Sequence, residues 1–184
     1  MIKYYEKKHF YIAGVLALFM LAPILIVLIP IIIHGIMYDD RTVWYINVPY
    51  TVYFYYAIGW GVLGVALLLG YFYERYGVFI TLSAACVTLL CIYLGSNEYK
   101  ILGDNGVAWS GTSTKHKYEY HWEDVDKVLL ALPKETNGKQ KFEFYFKDGN
   151  YVEFERDEHF LDFYNKFIEA KNNYGFAYES IKRD

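Results

Sequence analysis

The sequence predicts an α+β membrane protein: about three N-terminal transmembrane helices, then an antiparallel β-rich domain closed by a C-terminal helix. Three observations lead there. Residues 10–37 form an apolar run without Asp, Glu, Lys or Arg, longer than the roughly 20 residues a spanning helix needs. Residues 142–154 alternate apolar and polar side chains on both sides of an Asp-Gly pair, the strongest short-range hairpin signal. Residues 157–173 then switch to helical spacing. The 184 residues are therefore two unlike halves. Residues 1–96 hold five Lys or Arg and four acids, whereas residues 97–184 hold thirteen and seventeen. The acidic excess of the second half leaves no basic footprint for nucleic acid.

The first span, "FYIAGVLALFMLAPILIVLIPIIIHGIM", contains Pro23 and Pro30, the expected bend points because each removes a backbone donor. It lacks the short core and small-residue cleavage site of a signal peptide, so it reads as a retained anchor. The second span, residues 51–73, is aromatic at both ends and carries Gly59, Gly61, Gly64 and Gly70. Aromatic ends suit the membrane interface, and the glycines allow close helix approach. The third, residues 77–96, follows after "ERYG", a link long enough only for an antiparallel helical hairpin. His34 is the one ionisable acid or base placed within a span and reads as interfacial; a proton relay or pump needs more such groups. Cys86 and Cys91, five apart on a helix, point in different directions and read as packing residues.

The polar half, 97–184, opens with strands 98–103 and 106–111 around the turn at Asp104 and Asn105. The strand at 115–121 places Tyr118 and Tyr120 on one face and Lys117, Glu119 and His121 on the other. A strand at 125–133 ends at Pro133, and the Asp148–Gly149 hairpin turns Phe142, Phe144 and Phe146 toward a core. In the last helix, Phe160, Phe163, Tyr164, Phe167 and Ile168 make one stripe. Asp157 is its expected N-cap, with Glu158 in the first turn, and Asn173 or Gly175 its end. About six strands and a capping helix result.

"YEYHWEDVDKV" gathers His121, Glu123, Asp124 and Asp126 around Trp122. With His116, these are the candidates for metal or acid–base chemistry. His116 and His121 are five apart on a strand and so face opposite ways, unlike the i, i+4 pair that binds zinc from a helix. No G-x-S-x-G, phosphate loop or cysteine occurs in this half. The segment therefore reads as a strand end, a turn in which Asp124 accepts backbone N–H groups, and a new strand. Trp122 enters the core, where its N–H needs a partner.

The order of apolar spans, "EYKILGDNGVAW", an aromatic strand, "YHWEDVDKV", "FYFKDGNYVEF" and a helix resembles the bacterial pleckstrin-homology-like (PH-like) membrane proteins. Trp122, Asp124, Val125 and Val128 match that family's W-x-D-[IV]-x-x-V element, and the resemblance covers about 85 residues. It implies a PH-like barrel on a bacterial cell membrane and a non-enzymatic binding module without a cofactor. The implied partners are a protein, a peptide or a lipid headgroup, with peptide immunity or envelope sensing as the role. The sequence departs by having three spans where many members have two. It also lacks the Lys/Arg cluster that binds inositol phosphates in some PH domains: "STKHK" offers only Lys115 and Lys117, which read as a solvated strand start. A structural or regulatory subunit of a larger membrane complex is the alternative function. Sidedness is contested. Lys3, Lys7 and Lys8 before the first span, against Arg41 after it, put the N-terminus inside and hence the polar half outside. The resemblance implies a cytoplasmic polar half, and that is the expectation taken.

Overall fold

The computed structural model describes residues 7–111, 117–133, 140–156 and 158–182. The chain falls into two compact units. One comprises residues 1–37 and 48–98, the other residues 38–47 and 99–184. Residues 38–47, read from sequence as a loop between spans, fold with residues 99–184.

The first unit is built from three apolar helices: α1 (Lys7–Tyr38), α2 (Tyr50–Phe72) and α3 (Gly77–Ser96). Each is long and apolar enough to cross a membrane. Helix α1 continues through Pro23 and Pro30 without a break; its 32 residues make about 48 Å at 1.5 Å per residue. Helices α2 and α3 form the expected hairpin. Along α2, Val52, Tyr56, Gly59, Ala66 and Gly70 are buried. Gly59 lets the backbones approach: a Cβ there would lie 3.2 Å from that of Cys91 and 3.3 Å from Thr88 Cγ2. Thr88 Oγ1 is 2.8 Å from the Gly59 carbonyl. The Ser96 hydroxyl donates to the Ile92 carbonyl at 2.7 Å, so the Tyr56 hydroxyl, 2.8 Å away, is the donor to Ser96. Cys86 and Cys91 are free thiols. Helix α1 joins this hairpin through Tyr11, whose ring fills a notch at Gly70 and Gly77.

The second unit holds two four-stranded sheets. The first has order β1-β2-β3-β4, from β1 (Val43–Asn47), β2 (Tyr99–Gly103), β3 (Gly106–Ser110) and β4 (Lys117–His121), all antiparallel. The second contains β5 (Val125–Leu132), β6 (Lys141–Phe146), β7 (Tyr151–Glu155) and, after α4 (Glu158–Tyr174), β8 (Ala177–Lys182). Its order is β7-β6-β5-β8, with β8 parallel to β5. Two strands thus exceed the expected six. Strand β1 is an apolar, β-branched and aromatic run, "VWYIN", which suits a half-buried sheet position. Its partner β2 lies beyond two helices, so local pattern could not supply the pairing.

Phe142, Phe144 and Phe146 do face the core, together with Trp44, Tyr45, Leu102, Val107, Trp122, Val128 and Phe154. Helix α4 lays Phe167 edge-on against Phe142 and Phe144, and its Phe163 meets Tyr45. The apolar stripe therefore serves both sheets. Gly175, at φ +72°, follows the helix end and donates to the Lys171 carbonyl, the left-handed cap expected of glycine. Asp157, the expected N-cap, and the side chain of Phe160 lie outside the described residues. Glu143, placed by alternation on the polar face of β6, is fully buried. It accepts the Tyr145 hydroxyl at 2.8 Å.

Candidate functional site

The local sequence around Trp122 builds a corner. After β4, residues Trp122–Asp124 make one 3-10 turn and the chain enters β5. The Asp124 carboxylate accepts the His121 backbone N–H at 3.1 Å, and its own carbonyl accepts from Lys147 N–H at 3.0 Å. Trp122 is 1% exposed. Its indole N–H donates to the Gly103 carbonyl at 3.0 Å, and its ring stacks on Trp44 and Phe176. Asp124 and Trp122 thus take the turn and core roles the spacing predicts.

The other candidates separate. Glu123 and Asp126 are exposed, and the Glu123 backbone carbonyl accepts from Lys147 Nζ at 2.6 Å. Lys117 is exposed on β4, whereas Lys115 and His116 lie outside the described residues. Among the described residues, no group of three or more His, Cys, Asp or Glu side chains is placed to hold a metal.

His121 instead lines a trough of about 300 Å³ on the outer face of the first sheet. This face takes alternate residues from each strand. Ile101 and Ala108 give an apolar floor, Val43 and Thr42 one end, and Glu119 and His121 the wall along β4. Two glycines permit the close chain approach beneath it. A Cβ on Gly103 would sit 2.6 Å from the Thr42 carbonyl oxygen; on Gly106, at φ +140°, it would sit 1.9 Å from that of Tyr120. His121 Nδ1 lies 3.1 Å from the Asn105 carbonyl. A carbonyl only accepts, so Nδ1 carries the hydrogen and Nε2 of the neutral ring is an acceptor. Beside this trough Tyr99 is buried against the Tyr38 ring, with centroids 4.3 Å apart. Burial first, then the Glu119 charge, raises its phenol above the ordinary value.

At the far side of β4, Trp109 stacks between Tyr118, Tyr120 and Phe146. The Tyr120 hydroxyl donates to the Asp148 carboxylate, and Asn150 Nδ2 donates to Tyr120 at 2.7 Å. Hydrogen bonds from Tyr120 and the Asn150 backbone hold the Asp148 carboxyl below its ordinary range. The Asp-Gly turn recognised in the sequence is thereby tied to β4.

His34, expected at an interface, is 1% exposed. Its Nδ1 lies 2.8 Å from the Pro30 carbonyl and its Nε2 2.8 Å from the Glu98 carbonyl. The Thr51 hydroxyl donates to the Glu98 carboxylate. Residues of α1 and α2 thus meet at the segment joining α3 to β2. A lone histidine in an apolar run gives no sequence signal for this role. The trough was likewise hidden, because its residues come from four strands and β1 was not recognised.

Comparison with protein-family models, with curated proteins and with solved structures gives no match to this chain.

Proposed function

We propose that this chain is a non-enzymatic, membrane-anchored PH-like binding module that engages a protein, peptide or lipid headgroup at the membrane surface. Peptide immunity or envelope sensing is its role in that reading. The carrying observation is the trough over Ile101 and Ala108, formed by a polar unit whose strands β1 and β2 follow directly from α1 and α3. The sequence of strands, Trp122 corner, Asp148–Gly149 hairpin and helix α4 supports the PH-like likeness, while the parallel strand β8 is an addition to it. The polar unit is proposed to face the cytoplasm of a bacterial cell.

The lysine and arginine distribution opposes that sidedness. The ion pair of Lys8 with Glu74, at 2.9 Å, puts the α2–α3 turn and its Arg75 beside the start of α1. Protease treatment of intact cells carrying a C-terminal tag tests the assignment: the tag survives if the unit is cytoplasmic, and its cleavage overturns it. Affinity purification from membranes tests the module itself, which predicts a partner captured by the wild type and lost when the trough is filled by Ala108→Trp. A second reading, a subunit of a larger membrane complex, is favoured by α2. Ala57 is exposed, and Gly61 has open space where a Cβ would point, a face on which another helix can pack. A stoichiometric integral-membrane partner, retained in the Ala108→Trp variant, supports this reading over the first.

A further inference from the structure

We propose that the trough takes a lysine or arginine side chain of a partner peptide. The proposal deepens the binding-module reading and rests on it. Two observations converge. First, the trough's volume, about 300 Å³, lies at the lower limit for small-molecule pockets and suits one long side chain better than a nucleotide. Its floor of Ile101 and Ala108 matches an aliphatic stem, the part of Lys and Arg that packs on apolar surface.

Second, the polar chemistry of the wall is one-sided. Glu119 is the sole Asp, Glu, Lys or Arg among the lining residues. Among the described residues, no cation pairs with its carboxylate. The neighbouring His121 presents Nε2 as an acceptor once Nδ1 donates to Asn105. The Tyr120 hydroxyl is already committed to Asp148. A carboxylate and an imidazole acceptor over an apolar floor call for a cationic donor. An ammonium or guanidinium meets both requirements; a phosphate or carboxylate meets neither.

The test uses the full chain in phosphatidylcholine nanodiscs, with methyl NMR of Ile101 and Ala108 as reporters. The probe is acetyl-Ala-Lys-Val-Lys-Ala-amide, and acetyl-Ala-Glu-Val-Glu-Ala-amide is the control. The lysine peptide is expected to shift both methyl signals saturably, and the acidic peptide to leave them unchanged. Glu119→Gln preserves shape and removes the charge. It should weaken the lysine peptide by roughly ten- to a hundredfold, the equivalent of a charged hydrogen bond. Glu119→Lys should reverse the preference between the two peptides. Equal shifts from both peptides, or unchanged affinity in Glu119→Gln, overturn the site. Shifts confined to other parts of the polar unit also overturn it while leaving the module reading intact. Absence of any shift overturns it too, and the module reading then stands or falls on co-purification.

Discussion

At the residue scale, Trp122 shows how one side chain sets a corner. It is buried, stacked on two rings, and the donor to the Gly103 carbonyl. Trp122→Phe keeps a ring but removes that hydrogen bond, and should cost about 0.5–1.5 kcal/mol; Trp122→Ala should cost about 3–5 kcal/mol. Chemical denaturation of the full chain, followed by polar-unit amide signals, measures both. Equal stability of Trp122→Phe and wild type would show that the hydrogen bond contributes nothing. Tyr120 and Asp148 make a pH-dependent pair. The Asp148 carboxyl is lowered from 3.8, chiefly by the Tyr120 hydrogen bond. Its stabilisation is complete above that value and is lost as pH falls through the lower folded value. The Tyr120 phenol is raised from 10.0, first by burial and then by Asp148. That contribution is complete below 10.0 and disappears as pH rises through the raised value. The stability difference between wild type and Tyr120→Phe should therefore be level across neutral pH and shrink at both extremes. NMR titration should find the Asp148 carboxyl raised toward its ordinary value in the variant, with the Asn150 bonds still holding it lower.

At the scale of elements, the three apolar helices are joined by different devices. Helices α2 and α3 are held by close backbone approach at Gly59 and by hydroxyl bonds from Thr88 and Tyr56. Helix α1 relies on Tyr11 seated at Gly70, where a Cβ would come within 2.6 Å of the ring, and on His34 at its other end. Gly70→Leu should displace Tyr11 and loosen α1 without unfolding the hairpin. Replacing Gly14 and Leu67 by cysteine in a chain lacking Cys86 and Cys91 gives the readout, since a Cβ at Gly14 lies 3.5 Å from Leu67 methyls. Oxidative cross-linking in membranes should fall several-fold when Gly70→Leu is added; an unchanged yield would show that the notch does not hold α1. The spans themselves were legible as composition, because a bilayer demands about 20 apolar residues whatever their neighbours. Which glycine meets which ring was not legible, because several glycines satisfy the same helical spacing.

On the scale of the whole molecule, the α2–α3 hairpin interrupts a β-hairpin. Strands β1 and β2 pair directly, Asn47 opposite Lys100, although the two helices separate them in sequence. A fragment beginning at residue 97 therefore lacks Trp44 and Tyr45 and leaves the core ring Trp122 without its Trp44 stack. Such a fragment should be aggregation-prone, since the missing strand bares apolar surface and the β2 edge. Joining residues 38–47 to residues 99–184 through an Asn-Gly turn should restore a soluble, cooperatively unfolding unit, because two-residue turns of that type suit antiparallel partners. Size-exclusion chromatography and thermal unfolding of the two proteins make the comparison. Equal behaviour would show that β1 is dispensable to the fold.

The sequence by itself determined the apolar spans, the Asp148–Gly149 hairpin, the stripe of α4 and the Trp122–Asp124 corner. Each of these is a local pattern, fixed by hydropathy, by the periods 2 and 3.6, or by turn chemistry within a few residues. Tertiary structure alone decided that residues 43–47 are a strand of the polar unit and that β8 runs parallel to β5. It also decided that Glu143 and His34 are buried and that Glu119 and His121 share a trough with Ile101 and Ala108. Those outcomes depend on pairings between strands far apart in the chain. Side-chain alternation tells which two faces a strand has; only its neighbours decide which face is covered and with what.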